Sequence, residues 1–114
     1  MGRAVRRSIT AAPYGIRVTF TASRKTFERR VRCDTTGAAG MCSDVTAKGV
    51  YVGVFDRNPA TLVHECVHAA LAILSYVGID VRNDRGEALA YMTDYLWSIG
   101  RCLCDLNTAH TAGR

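Results

Sequence analysis

The segment from Asn58 to Gly78 constrains this chain most, because it carries its own start signal, its own stop signal and two histidines at helical spacing. Asn58 is a strong N-cap, and Pro59 suits the first helical position, where a missing N–H costs nothing. Gly78 can adopt the left-handed backbone that ends a helix. The pattern predicts a helix from about Asn58 to Tyr76. His64 and His68 lie four apart within it, so both imidazoles share a face and can reach one metal ion. Glu65 sits about 100° round the helix from His64, where a carboxylate can take a proton from water on that metal. His64-Glu65-Cys66-Val67-His68 thus spells H-E-x-x-H, the pattern of a hydrolytic zinc site.

Two histidines need a third protein ligand, leaving the fourth position for water. Glu87 follows His68 by 19 residues, a gap that fits a helix end, a turn and the first turn of a second helix. A rival reading makes Asp84-Arg85-Gly86-Glu87 a capping box, with Glu87 only closing the helix start. Asp80, Asp84 and the remote His110 are substitute ligands. Tyr91, one turn beyond Glu87, can donate to a developing oxyanion or pack in the core. Asp94, two turns beyond, is a candidate acceptor for a ligand histidine's second N–H. Cys66 reads as a small core residue facing away from the metal.

The rest of the chain supplies the frame. Tyr14, Ile16, Val18 and Phe20 alternate with smaller or polar residues, as in a half-buried strand. Residues 23–33 fit a short helix better than a strand. Residues 34–49 hold Gly37, Gly40 and Gly49 and read as a loop, with a short strand near Val45. Val50–Phe55 is an apolar strand leading into the motif helix. A second long helix is expected from Asp84 to about Cys104, with Ala88, Met92, Tyr95 and Ile99 on its core face. Residues 1–12 and 107–114 read as flexible ends of one 114-residue domain.

The net charge of +5 is uneven: residues 1–32 hold nine Arg or Lys against Glu28 alone, leaving −3 for the remainder. A basic first third suits acidic partners such as nucleic acid, although a solvated arginine-rich surface is the commoner meaning. The five cysteines are odd in number and no secretory signal precedes them, which points to free thiols in a reducing cytoplasm. Cys102-x-Cys104 with Cys33 and Cys42 is a formal second zinc set of non-standard spacing. The apolar run Ala69–Ile79 is too short to span a membrane.

Val63-His64-Glu65-Cys66-Val67-His68-Ala69-Ala70-Leu71, followed by Asp84-Arg85-Gly86-Glu87-Ala88-Leu89-Ala90-Tyr91, resembles the zincin metallopeptidases of the gluzincin branch. More narrowly it is similar to small metallopeptidases encoded by phages and prophages, and more distantly to the minimal ImmA/IrrE and SprT peptidase domains. The resemblance covers residues 50–96. It implies one zinc ion per chain on His64, His68 and Glu87, with Glu65 as general base for cleavage of a peptide or protein by zinc-activated water. It also implies that Val50–Phe55 forms the cleft edge where an extended substrate adds as a strand. Tyr91 stands where larger gluzincins carry an acidic residue.

The expected fold is therefore α+β, a minimal zincin-like domain. A small, mostly antiparallel sheet packs on the H-E-x-x-H helix and the glutamate helix, with a short N-terminal helix beside it. The alternative function is a non-catalytic, zinc-stabilised phage protein that binds a host protein or nucleic acid through its basic N-terminal third.

Overall fold

The structure, a computed structural model, describes residues 4–11 and 14–104. It is an α+β domain whose four-stranded mixed sheet has the order β1-β2-β4-β3, comprising β1 (Arg6–Ala11), β2 (Ile16–Thr21), β3 (Gly40–Cys42) and β4 (Val50–Val54). The helices are α1 (Arg24–Val31), α2 (Pro59–Tyr76) and α3 (Glu87–Gly100). Two of the three strand junctions, β1–β2 and β3–β4, are antiparallel. The middle junction is parallel, from Val18 opposite Val50 to Thr21 opposite Gly53. A parallel pair needs a crossover; α1 and β3 both lie in that connection.

Strand alternation divides the sheet into two unlike faces. Val18 and Phe20 of β2, with Val50, Val52 and Val54 of β4, are wholly buried and join the main core with Leu62, Cys66, Ala69 and Ile73 of α2. Met92 and Leu96 of α3 complete that layer. Removing such side chains from water contributes roughly 1.5–3 kcal/mol each. The helix packs so closely that a methyl group at Gly100 would lie 2.7 Å from the Phe20 ring. On the other face, Gly53 makes room for the Phe55 ring, which would lie 2.5 Å from a methyl there, and for Phe27 of α1, which meets Phe55 edge-on at 5.5 Å.

Helix α2 has the expected bounds for the expected reasons. The Asn58 side chain accepts a 2.8 Å hydrogen bond from the Ala60 N–H, and Pro59 occupies the first turn. At the far end Gly78 has φ +82° and its N–H donates to Ser75 O, while Ile79 N–H donates to Leu74 O. That pair of bonds is a Schellman closure. The short helix over 24–31 is also present, capped by Ser23 accepting from Thr26 N–H.

Other expectations shift. Residues 6–11, read as part of a flexible end, form edge strand β1, because its backbone pairs with β2 while Ile9 and Ala11 reach the core. Residues 1–3, 12–13 and 105–114, including the expected tail and His110, lie outside the described residues. The strand expected near Val45 falls instead at Gly40–Cys42, leaving only an isolated bridge between Thr46 and Gly49. The second helix begins later than Asp84. Residues 83–86 form a short 3₁₀ turn in which Asp84, Arg85 and Gly86 have positive φ, so α3 starts at Glu87 and no capping box forms. It ends at Gly100, and residues 101–103 continue as another 3₁₀ turn. No helix among the described residues is long and apolar enough to cross a membrane.

Candidate metal centre and its cleft

Helix α2 presents its motif to a cleft whose opposite wall is the segment from Ala38 to Asp44. Two grooves of ≈ 350 and ≈ 410 Å³ adjoin there. The first holds His68 and the second His64, and Glu65 and Gly40 line both. Thr61, Glu65, His68 and Ala72 follow one another at helical spacing along this wall. The cleft edge is therefore β3. Val50–Phe55, expected to be that edge, instead supplies the inner strand β4, hydrogen-bonded on both sides by β2 and β3.

Local interactions hold the 38–44 wall in place. The Arg24 guanidinium donates to the carbonyls of Thr35 and Ala38 and lies over the Phe55 ring. Glu28 accepts from the Thr35 N–H at 2.9 Å and from its hydroxyl at 2.7 Å. These bonds draw the Glu28 carboxyl below its ordinary pKa. Gly40 then lets the wall approach α2. A methyl group there would lie 2.6 Å from the Thr61 methyl, 2.7 Å from Gly53 O and 3.1 Å from Glu65 Cγ.

His64 and His68 are exposed, with ring centres 4.9 Å apart and planes at 70°. Two imidazoles on one tetrahedral zinc, with metal–nitrogen distances of about 2.1 Å, have ring centres roughly 5 Å apart. The pair fits such an ion. Glu65 is 6% exposed and makes no hydrogen bond among the described residues. Burial pushes its carboxyl pKa upward, and the neighbouring His64 and His68 pull it back. Cys42, on the wall facing His68, has its thiol pushed up to about 12 by burial and by Glu65 and Asp44. Cys66 is buried on the core side of α2, as expected.

The other candidates lie elsewhere. Glu87 is the exposed first residue of α3 and lines neither groove. Among the described residues no three His, Cys, Asp or Glu side chains are grouped to hold a metal, so the structure unites the histidine pair but not the full ligand set. Tyr91, 71% exposed, and Asp94 line a separate groove with Tyr14, Met92 and Tyr95. Asp80 is engaged by Arg82 through Nε and Nη2, and Asp84 is exposed on the 3₁₀ turn. All five cysteines are free thiols. Sequence reasoning missed the Gly40–Cys42 wall; the clue was Gly40 itself, a residue with no side chain to obstruct a neighbouring helix. No protein-family model, curated protein or solved structure matches this chain.

Proposed function

We propose that this chain is a zinc metallopeptidase of the zincin type, with His64, His68 and Glu87 as ligands and Glu65 as general base. The observation that supports it most is the placement of Glu65, which borders both grooves between two histidines whose spacing suits one zinc ion. A bound zinc ion would polarise the scissile carbonyl and acidify a water molecule. Glu65 would accept that water's proton on a carboxylate oxygen and later deliver it to the leaving amine. Edge strand β3 offers backbone groups to an extended substrate, and Gly40 lets that strand lie close beside Glu65. The reading assigns no part to Tyr91. Free thiols at all five cysteines support a reducing, cytoplasmic setting.

A non-catalytic zinc-stabilised binding protein is the second reading, supported by the position of Glu87 outside both grooves. Screening wild type and Glu65→Gln with about one equivalent of zinc against quenched-fluorescent peptides separates the two. The peptidase reading expects Glu65→Gln to keep its zinc and lose at least ~100-fold in rate. Equal rates, or zinc-loaded wild type without hydrolysis across the library, would overturn it.

A further inference from the structure

The sheet face opposite α2 carries a second surface. Two grooves meet there at Arg17, Arg30 and Tyr51; Arg6 lines one and Lys48 the other, and no acidic residue lines either. The register explains the gathering. Arg6, Ser8 and Thr10 of β1 stand opposite Thr21, Thr19 and Arg17 of β2, all on the face away from the main core. Helix α1 covers only part of this face, through Phe27, and adds Arg30 at its open end.

These four cations differ from the arginines that build the fold. Arg24 binds the carbonyls of Thr35 and Ala38, Arg57 those of Ala4 and Leu103, and Arg82 pairs with Asp80. Among the described residues, Arg6, Arg17, Arg30 and Lys48 donate no side-chain hydrogen bond and have no carboxylate within 4.0 Å. All four are exposed. Converging like charges without a counter-charge repel one another, and a polyanion relieves that repulsion.

We propose that this face binds single-stranded nucleic acid, with Arg6, Arg17, Arg30 and Lys48 on the phosphates and Tyr51 stacking on a base. The hydroxyls of Ser8 and Thr10 add neutral contacts of the kind that position a backbone. The half-buried Tyr51 lines both grooves, so a base stacked on it lies between cations on either side. The concave, hydroxyl-rich surface suits a strand better than a lipid surface. Among the described residues, four of the five large exposed apolar side chains, Val63, Leu71, Tyr76 and Tyr91, sit on α2 and α3; Val5, just before β1, is the fifth. The site is independent of the proposed peptidase cleft.

The test is fluorescence anisotropy with a fluorescein-labelled oligothymidylate of about 12 nucleotides, titrated with the full chain at several salt concentrations. Four phosphate contacts predict a slope of log affinity against log salt of about −3, falling to about −1.5 in Arg17→Ala/Arg30→Ala. Both positions are exposed, so that variant should fold, and its affinity should drop at least tenfold at low salt. Tyr51→Leu should weaken binding roughly fivefold or more with the slope unchanged. Arg82→Ala, on the α2–α3 connection, should bind like wild type. Three results would overturn the proposal: no binding at about 50 mM salt, an equal loss in Arg82→Ala, or stronger capture by phosphatidylserine vesicles than by the oligonucleotide.

Discussion

The two faces of the sheet come from the same strands, yet they have opposite chemistry. In β2, Ile16, Val18 and Phe20 are buried on the side of α2 and α3, while Arg17, between the first two, lines an open groove. In β4, Val50, Val52 and Val54 are sealed, while Tyr51 lies among cations. The covered face has one task, to hold α2 rigidly enough that His64, Glu65 and His68 keep their places. The open face contributes less to stability and is free to carry charge. A chain of 114 residues can thus support two surfaces on one sheet, provided each strand keeps strict alternation.

This contrast can be broken first at its strongest point. Phe20→Ala should cost about 3–5 kcal/mol by leaving a cavity under Gly100, read as a fall in the urea midpoint. Gly40→Val belongs to the cleft wall, and its clashes with Thr61 and Gly53 O should cost about 1–3 kcal/mol. Limited proteolysis should show the 38–44 wall loosened in that variant. Two buried thiols, Cys66 and Cys104, and the half-buried Cys42 give a chemical measure of the same difference. Cys42 and Cys66 are pushed up to about 12 and Cys104 to about 11, burial being the first cause in each. A raised pKa keeps the thiol protonated, so iodoacetamide at pH 8 should leave all three unlabelled until urea unfolds the chain, as mass spectrometry can follow. Smallest of all, Arg17→Ala on the open face should shift stability by no more than about 0.5 kcal/mol. A larger loss would show that this face is structural after all.

The same division explains what could be read in advance. Helix α2 was legible because its signals are local: Asn58 caps it, Pro59 starts it and Gly78 turns it off. The histidine pair was legible for the same reason, since four-residue spacing on a helix fixes a shared face. Strands β1 and β3 were not, because nothing within them announces a strand. Arg6-Arg7-Ser8 looks like a charged tail until Thr19–Thr21 pairs with it, and Gly40–Cys42 is made a strand only by its register with Val52–Val54. That also hid which strand borders the cleft. Asp84 to Glu87 misled for a different reason. Its spacing matches a capping box, but left-handed Asp84, Arg85 and Gly86 turn the chain before the helix begins. The position of Glu87 follows from that turn rather than from its distance along the sequence to His68.

Glu87 is consequently where the proposed function is most exposed to test, and metal content is the direct measurement. Elemental mass spectrometry on purified wild type, His68→Ala and Glu87→Ala, after dialysis against a weak chelator, reads the ligand set without requiring a substrate. The account predicts about one zinc per chain in wild type and little or none in either variant. Zinc-free wild type that folds normally, or full zinc retention in Glu87→Ala, would contradict the three-ligand centre.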